Sequence, residues 1–300
     1  MDNCKKFIIN NKIGEYLENE LLSKYTTYRV GGIAKLIVYP YTSTSLISLL
    51  KYLNDNNVKY KVIGKGSNLI FSSKVYDGVL IILDKLKNIE INDNVIDVEA
   101  GYNIIKLAND TAKLGLSGLE FAAGIPGTIG GGVFMNAGAY LSSFSDIVKS
   151  VTFLDKTFNI KTFTNDELNY SYRNSILKEN NYIVLSAKLE LTHKNPDEIK
   201  NIMDDRRQRR IESQPLEYPS AGSVFRNPEG DYAGRLIEEA GLKGKKVGGA
   251  MVSTKHANFI INENNATGED IKELIKIIEK TIKDKYNIDL VLEQELVNFD

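Results

Sequence analysis

Two periods of hydrophobic residues alternate along this chain. IAKLIVYP, ending at Pro40, and YKVIG, ending at Gly64, read as strands. Between them LISLLKYLNDNN carries apolar residues at helical spacing, with Thr42–Ser45 as candidate N-caps. That β-α-β order predicts an α/β unit at the N-terminal side, preceded by two dozen residues that read as a helical lead-in. From Val79 to Gly101 the pattern shifts to short strands, VLIIL and VIDVEA, with a turn at Asn92–Asn94. A helix follows over Asn103–Leu114, stopped by Gly115. Strands around Ile147–Leu154, Ile160–Phe163 and Tyr182–Leu191 then predict an α+β region with a largely antiparallel sheet. Pro196 opens a helix through DEIKNIMDDRRQRR. Further helices are expected at Ala233–Ala240 and Gly268–Tyr286, a strand at Asn258–Asn262, and a closing strand in LVLEQELVNF. In the long last helix Ile271, Leu274, Ile275, Ile278 and Ile282 form one stripe, a core face.

Two stretches obey neither period. Phe121–Tyr140, FAAGIPGTIGGGVFMNAGAY, holds six of the chain's 23 glycines and few side chains large enough to fill a core. A helix tolerates that density badly, because each Gly costs about 1 kcal/mol relative to Ala. Bare backbone is useful where another body must come close and where successive N–H groups must face an anion, so the stretch reads as a cradle for a phosphate-bearing ligand. The alternative is a glycine-rich structural loop. SQPLEYPSAGSVFRNP, with three of the six prolines, reads as a fixed irregular segment.

Composition narrows the chemistry. The hydrophobic share of 42% and charged share of 26% are those of a globular protein, and Lys+Arg 38 against Asp+Glu 39 leaves a net charge of -1. That balance supports neither a nucleic-acid nor a membrane-surface role. A single cysteine, Cys4, and two distant histidines, His193 and His256, point away from a disulfide framework and a Cys- or His-built metal site. With no secretory h-region and no membrane-length apolar run, a cytoplasmic protein is expected. The basic cluster Arg206, Arg207, Arg209 and Arg210 has Asp204 and Asp205 beside it and reads as a solvated helix face. GKGSN (Gly64–Asn68) has Leu69 where a dinucleotide fingerprint needs its third glycine, and a strand-like run follows it. Two cradles about sixty residues apart remain, able to grip one pyrophosphate through main-chain nests without a helix N-terminus, with Ser67 and Asn68 adding side-chain donors.

TTYRVGG, IGKGSN, AGIPGTIGG, MNAGAY, SYRNS, YPSAGSVFRNP, VSTKHANFIIN and LEQE occur in the order found in UDP-N-acetylenolpyruvoylglucosamine reductases, and the chain resembles that family from about Tyr25 to Phe299. The resemblance implies an α+β protein: an FAD-binding fold of the vanillyl-alcohol-oxidase type in two subdomains, 1–80 and 81–195, and a C-terminal α/β substrate-binding domain, 196–300, with 289–300 returning to the first. It lacks the tyrosine-bearing lid insertion and so resembles the shorter subclass. The implied reaction makes UDP-N-acetylmuramate for peptidoglycan. NADPH reduces non-covalent FAD, and the flavin passes hydride to the enolpyruvyl group of UDP-N-acetylglucosamine enolpyruvate. A monomer with only small-molecule partners is expected.

Carried over motif by motif, the resemblance assigns FAD contacts to Gly64, Lys65, Gly66, Ser67 and Asn68, to Gly124, Ile125, Pro126, Gly127, Thr128, Gly130 and Gly131, and to Asn136, Ala137 and Gly138. Arg173 would grip the substrate carboxylate, Ser223 would give the proton to C2, and Glu295 would assist. Tyr140 and Asn227 match substrate-contact positions, and no metal ligand is implied. Strand alternation puts Glu295 on a face with Val291, Glu293, Val297 and Phe299, a carboxylate among apolar neighbours. The tail LVNFD departs from the family's usual basic one, and Arg226 stands where some relatives carry lysine. Two rivals are a different flavoenzyme that passes electrons to oxygen and a non-catalytic nucleotide-binding scaffold. Neither histidine lies in a cradle where covalent flavin attachment would need it, and a binder has no use for a proton donor.

Overall fold

Thr42 accepts a hydrogen bond from the Ser45 N–H at 3.1 Å and so starts the helix Ser43–Asp55, whose Leu46, Leu49, Leu50 and Leu53 are fully buried. The structure, a computed structural model, describes all 300 residues, Met1–Asp300. They form two units: Met1–Glu18, Lys35–Gly64 and Asp77–Arg207 make the first, and Asn19–Ala34, Lys65–Tyr76 and Gln208–Asp300 the second.

The first unit holds a four-stranded sheet in the order Gly14–Leu21, Ile33–Pro40, Tyr76–Ile82, Tyr60–Ile63, with the last two strands parallel. It also holds a five-stranded sheet in the order Ile160–Thr164, Val148–Leu154, Ile183–Glu190, Val95–Glu99, Ile89–Asn92, antiparallel throughout. One continuous core, including Leu36, Ile81, Val98, Phe144 and Phe153, runs under both. The helical lead-in covers only Asp2–Asn10, and Gly14–Leu21 is a strand. Gly14 explains the close pairing there: a Cβ on it would lie 2.0 Å from the Tyr39 carbonyl oxygen.

The second unit is built on the helix Gly268–Tyr286. A capping box of Thr267 and Asp270 opens it, the expected stripe from Ile271 to Ile282 is buried, and Asn287 closes it in the left-handed region at φ 56°. Beside it lie the helix Ala233–Glu239 and a sheet of Lys246–Val247, Ala250–Val252 and Ile260–Asn262. Leu69–Phe71 pairs in parallel with Glu295–Val297, joining residues far apart in the sequence. The closing strand is thus three residues long. Before it, residues 291–294 pair instead with the segment carrying Ser223, through the bridge Phe225↔Leu292. The segment therefore changes partners at Glu295.

Candidate active site

Within the glycine stretch, Ile129–Phe134 is a short helix after all, IGGGVF, with Thr128 as N-cap. Propensity is overridden by packing. A Cβ on Gly130 would sit 2.9 Å from the Ala100 Cβ, and one on Gly132 2.5 Å from the Phe144 ring. Gly131 differs: its Cβ would meet only the Thr128 hydroxyl, at 3.7 Å, and the residue is exposed. The expected grip without a helix N-terminus is corrected to this extent, since the cradle runs into one. Gly64 comes against the same Thr128, 2.7 Å from hypothetical Cβ to hydroxyl, so the first residue of GKGSN and the second cradle are neighbours in the first unit.

The cradle backbone is only partly committed to the fold. Ile129 N–H donates to Tyr102, Gly130 to Ala100 and Gly132 to Thr128, whereas the N–H groups of Gly127 and Thr128 take no protein acceptor. In the second unit the N–H groups of Gly66 and Ser67 are likewise uncommitted, and Gly66 holds φ 61° with the Tyr25 carbonyl oxygen 2.1 Å from where a Cβ would be. Uncommitted N–H groups on bare backbone are what a pyrophosphate requires, so these residues fit FAD.

Further along the first unit, Arg173 occupies a two-residue turn closed by paired Ser171 and Asn174 hydrogen bonds, at φ 56°. A left-handed non-glycine costs about 1–3 kcal/mol, and such strain concentrates at functional sites. Its Nη2 donates to the Gly138 carbonyl at 2.6 Å, and its guanidinium lies 5.0 Å from the Tyr172 ring centroid. Asn136 fixes this turn by donating to the Ser171 carbonyl at 3.0 Å, while its Oδ1 accepts from the Ser145 N–H at 2.9 Å. Its side chain therefore serves the fold, and its N–H donates to the Val133 carbonyl at 3.3 Å. Tyr140 and Leu141, both left-handed, form the tip of the hairpin Gly138–Ala139/Ser142–Ser143. The Tyr140 hydroxyl donates to the Arg206 carbonyl at 2.8 Å, and the Arg206 guanidinium lies 5.0 Å from its ring centroid. Arg206 is thus occupied with a predicted substrate contact, which composition alone did not reveal.

The second unit brings Ser223, Glu295 and Asn68 onto adjoining backbone. Glu293 N–H donates to Val224, Arg226 N–H to Val291, and Glu295 N–H to Asn68, each at 2.9 Å. Asn68 returns a side-chain bond to the Glu293 carbonyl at 3.0 Å. Glu295 is exposed, and of the predicted apolar face only Val297 is buried, because the alternation is interrupted where the segment changes partners. Burial, and then the negative charge of Glu295, push the Tyr76 phenol up. Asn227 accepts from Ala233 N–H at 3.2 Å, capping a helix with its oxygen.

Two buried side chains that sequence reasoning passed over hold this region. Asn258 donates to the Phe225 carbonyl at 2.8 Å and accepts from its N–H at 3.0 Å, and His256 Nδ1 accepts from Asn258 N–H at 3.2 Å. Gln294 reaches the carbonyls of Ala221, Gly222 and Ser223. The signal for Gln294 was available: it alternates away from Glu293 and Glu295, onto the face of Leu292 and Leu296. No group of three or more His, Cys, Asp or Glu side chains assembles, and no helix is long and apolar enough to cross a membrane.

A family model for the C-terminal domain of UDP-N-acetylenolpyruvoylglucosamine reductase matches residues 214–297, and one for an FAD binding domain matches 34–163. The UDP-N-acetylenolpyruvoylglucosamine reductase of Lactobacillus acidophilus is 48% identical over 92% of this chain and 93% of its own. That of Caldanaerobacter subterraneus subsp. tengcongensis is 44% identical over 99% and 97%. Among solved structures, the reductase of Thermus caldophilus has a TM-score of 0.80 at 33% identity, covering 94% of this chain and 98% of that one. Phl p 4.0202, a glucose dehydrogenase, has a TM-score of 0.50 at 12% identity over 65% and 44%, a likeness of fold alone.

Proposed function

The chain belongs to the UDP-N-acetylenolpyruvoylglucosamine reductase family, and from that premise we propose that it reduces UDP-N-acetylglucosamine enolpyruvate to UDP-N-acetylmuramate with NADPH, for peptidoglycan synthesis. The hydride chemistry would be the cofactor's: bound FAD, with NADPH as reductant, would supply the hydride that the enolpyruvyl methylene carbon takes up. Gly64–Asn68, Gly124–Thr128 with Gly130 and Gly131, and Asn136–Gly138 would hold FAD without a covalent link. Arg173 grips the substrate carboxylate with its planar fork, and so binds the charge that develops at C2 more tightly than it binds the resting substrate. Ser223 gives its hydroxyl proton to C2 as the double bond saturates, and solvent restores the proton. Glu295, on the segment that runs beside the Ser223 loop, assists as the third catalytic residue. Tyr140 and the amide NH2 of Asn227 orient the nucleotide sugar. A cytoplasmic monomer, three domains at 1–80, 81–195 and 196–300, and no nucleic-acid or membrane partner complete the proposal.

The observation that carries this reading is the change of partner at Glu295. The same short segment bonds first to the Ser223 loop and then, through Glu295 N–H, to Asn68 of the phosphate cradle. A proton donor and a carboxylate are thereby fixed to the backbone expected to hold the cofactor. Anaerobic stopped flow tests it. NADPH should bleach the bound flavin, and UDP-N-acetylglucosamine enolpyruvate should restore the yellow. Ser223→Ala should bleach at the parental rate and recover about 100-fold more slowly, the lower range for a positioned acid. Parental recovery would remove the proton-donor role. Rapid NADPH oxidation by air without the nucleotide sugar would favour an oxidase instead.

A further inference from the structure

The proposed mechanism gives no task to Tyr28 and Gln294, yet these two side chains sit behind the Ser223 loop and are closed off from solvent, at 0% and 3% exposure. Tyr28 Oη donates to Gln294 Oε1 at 3.0 Å. Gln294 Nε2 faces three successive carbonyl oxygens, Ala221 at 3.1 Å, Gly222 at 3.3 Å and Ser223 at 3.3 Å. The amide has one chemically sensible orientation. Turned over, its oxygen would confront three carbonyl oxygens and its NH2 would face a hydroxyl already able to donate. Tyr28 therefore sets Gln294, and Gln294 sets the backbone of Ala221–Ser223.

The loop needs such a restraint. Gly222 stands at φ 75° with nothing within 4 Å of where a Cβ would be, so the loop is packed on one side and open on the other. Past Ser223 the chain is held by Val224 and Phe225, whose N–H groups donate to the main-chain and side-chain oxygens of Asn258. Ahead of that clamp, Gln294 bonds to the main chain of Ala221–Ser223.

We propose that Tyr28 and Gln294 are positioning residues for Ser223: the buried phenol–amide relay fixes three carbonyls and so aims the serine hydroxyl at the carbon it protonates. This rests on the reading of Ser223 as proton donor. Proton delivery is sensitive to placement, since an error of about 1 Å can slow a step about 100-fold. Substrate binding depends on other groups and should not feel the relay.

The test compares Tyr28→Phe, which removes only the relay's anchor, with Gln294→Leu, which removes the amide at similar volume. Both are made as FAD-loaded holoenzyme, alone and combined with Ser223→Ala. The expected result is bleaching by NADPH at the parental rate in every variant, and an unchanged KM for the nucleotide sugar. Recovery should slow about threefold in Tyr28→Phe and about 30-fold in Gln294→Leu, with a larger solvent deuterium isotope effect on that step than in the parent. On the Ser223→Ala background neither change should slow recovery further, because the aimed group is gone. Three results would overturn the proposal while leaving Ser223 in place: parental recovery in both single variants, equal loss in both half-reactions, or slowing that multiplies with that of Ser223→Ala. Parental recovery in Ser223→Ala itself would overturn the proton-donor reading, and this one with it. If Gln294→Leu fails to fold, Tyr28→Phe decides on the same measurements.

Discussion

Two small-residue segments carry the candidate chemistry, and they are fixed by opposite means. Gly130 and Gly132 are held by what they lack: Ala100 and Phe144 occupy the room a side chain would need. Ala221–Ser223 is held by what reaches it, a buried amide from Gln294, with Asn258 clamping the residues just beyond. The first device is steric and rigid, and the N–H groups without a protein acceptor lie just before it, at Gly127 and Thr128. The second is polar and directional, and it fixes the backbone next to the hydroxyl proposed to deliver a proton. A cofactor that stays bound is served by the first, and a group that acts once per turnover by the second.

Substitutions can break this contrast. The largest effect is expected at Gly66, where φ 61° and a backbone oxygen 2.1 Å from the Cβ position leave no flexible neighbour to yield. Gly66→Ala should lower stability by about 3 kcal/mol, the upper end for overpacking, and abolish FAD retention. Urea unfolding and flavin absorbance check both. A protein that keeps its stability and its colour would show that the cradle is not sterically fixed.

Gly131→Ala sharpens the comparison from the other side. The site has room and is helical, so the apoprotein should gain up to about 1 kcal/mol, while FAD binds more weakly where a methyl group meets the ligand. Fluorescence titration with FAD alongside apoprotein unfolding separates the two. Unchanged affinity would assign Gly131 to the fold alone.

The smallest effect concerns pH. Burial first, and then the nearby Lys243 charge, hold the His256 imidazole below its ordinary value, and neutral Nδ1 accepts from Asn258. An unfolded histidine titrates near its ordinary value, about 6.5. The unfolded state therefore takes up the proton first on acidification. The stability contribution is whole above that pH and is lost as pH falls from there through the folded value. His256→Asn retains an acceptor at the Nδ1 position, so it should keep the stability at pH 7.5 and flatten the decline towards pH 5.5. Identical slopes in parent and variant would remove His256 from the clamp.

Much of the fold was legible in the sequence because its determinants are local. The stripe Ile271–Ile282 with Thr267 and Asp270 predicts its helix within one stretch of chain, and the antiparallel strands follow from short apolar runs. The glycine stretch reads as non-helical in the sequence but contains the helix Ile129–Phe134, because Ala100 and Phe144, which make glycine necessary there, come from other parts of the chain. The strand alternation drawn through Glu295 failed because the segment 291–297 serves two partners in turn. The relay to Ser223 was illegible for the plainest reason: Tyr28 and Gln294 are separated by 266 residues, and neither belongs to a motif that suggests the other.

The pairing of Leu69–Phe71 with Glu295–Val297 sets a schedule for synthesis. Beside it, Ser72 and Asn298 bond across a separation of 226 residues. At ribosomal rates of about 5–20 residues per second, the early strand waits roughly 11–45 seconds for its partner to be made. Throughout that interval the apolar segment LIF lacks the strand it pairs with, and its main-chain groups stay unpaired. The first unit reaches no further along the chain than Arg207, whereas the second, with the loop that carries Ser223, includes the strand Glu295–Val297 and needs it to be complete. A chain stopped before residue 295 would therefore carry both glycine stretches without the segment that holds the Ser223 loop, and would leave residues 69–71 without their strand partner.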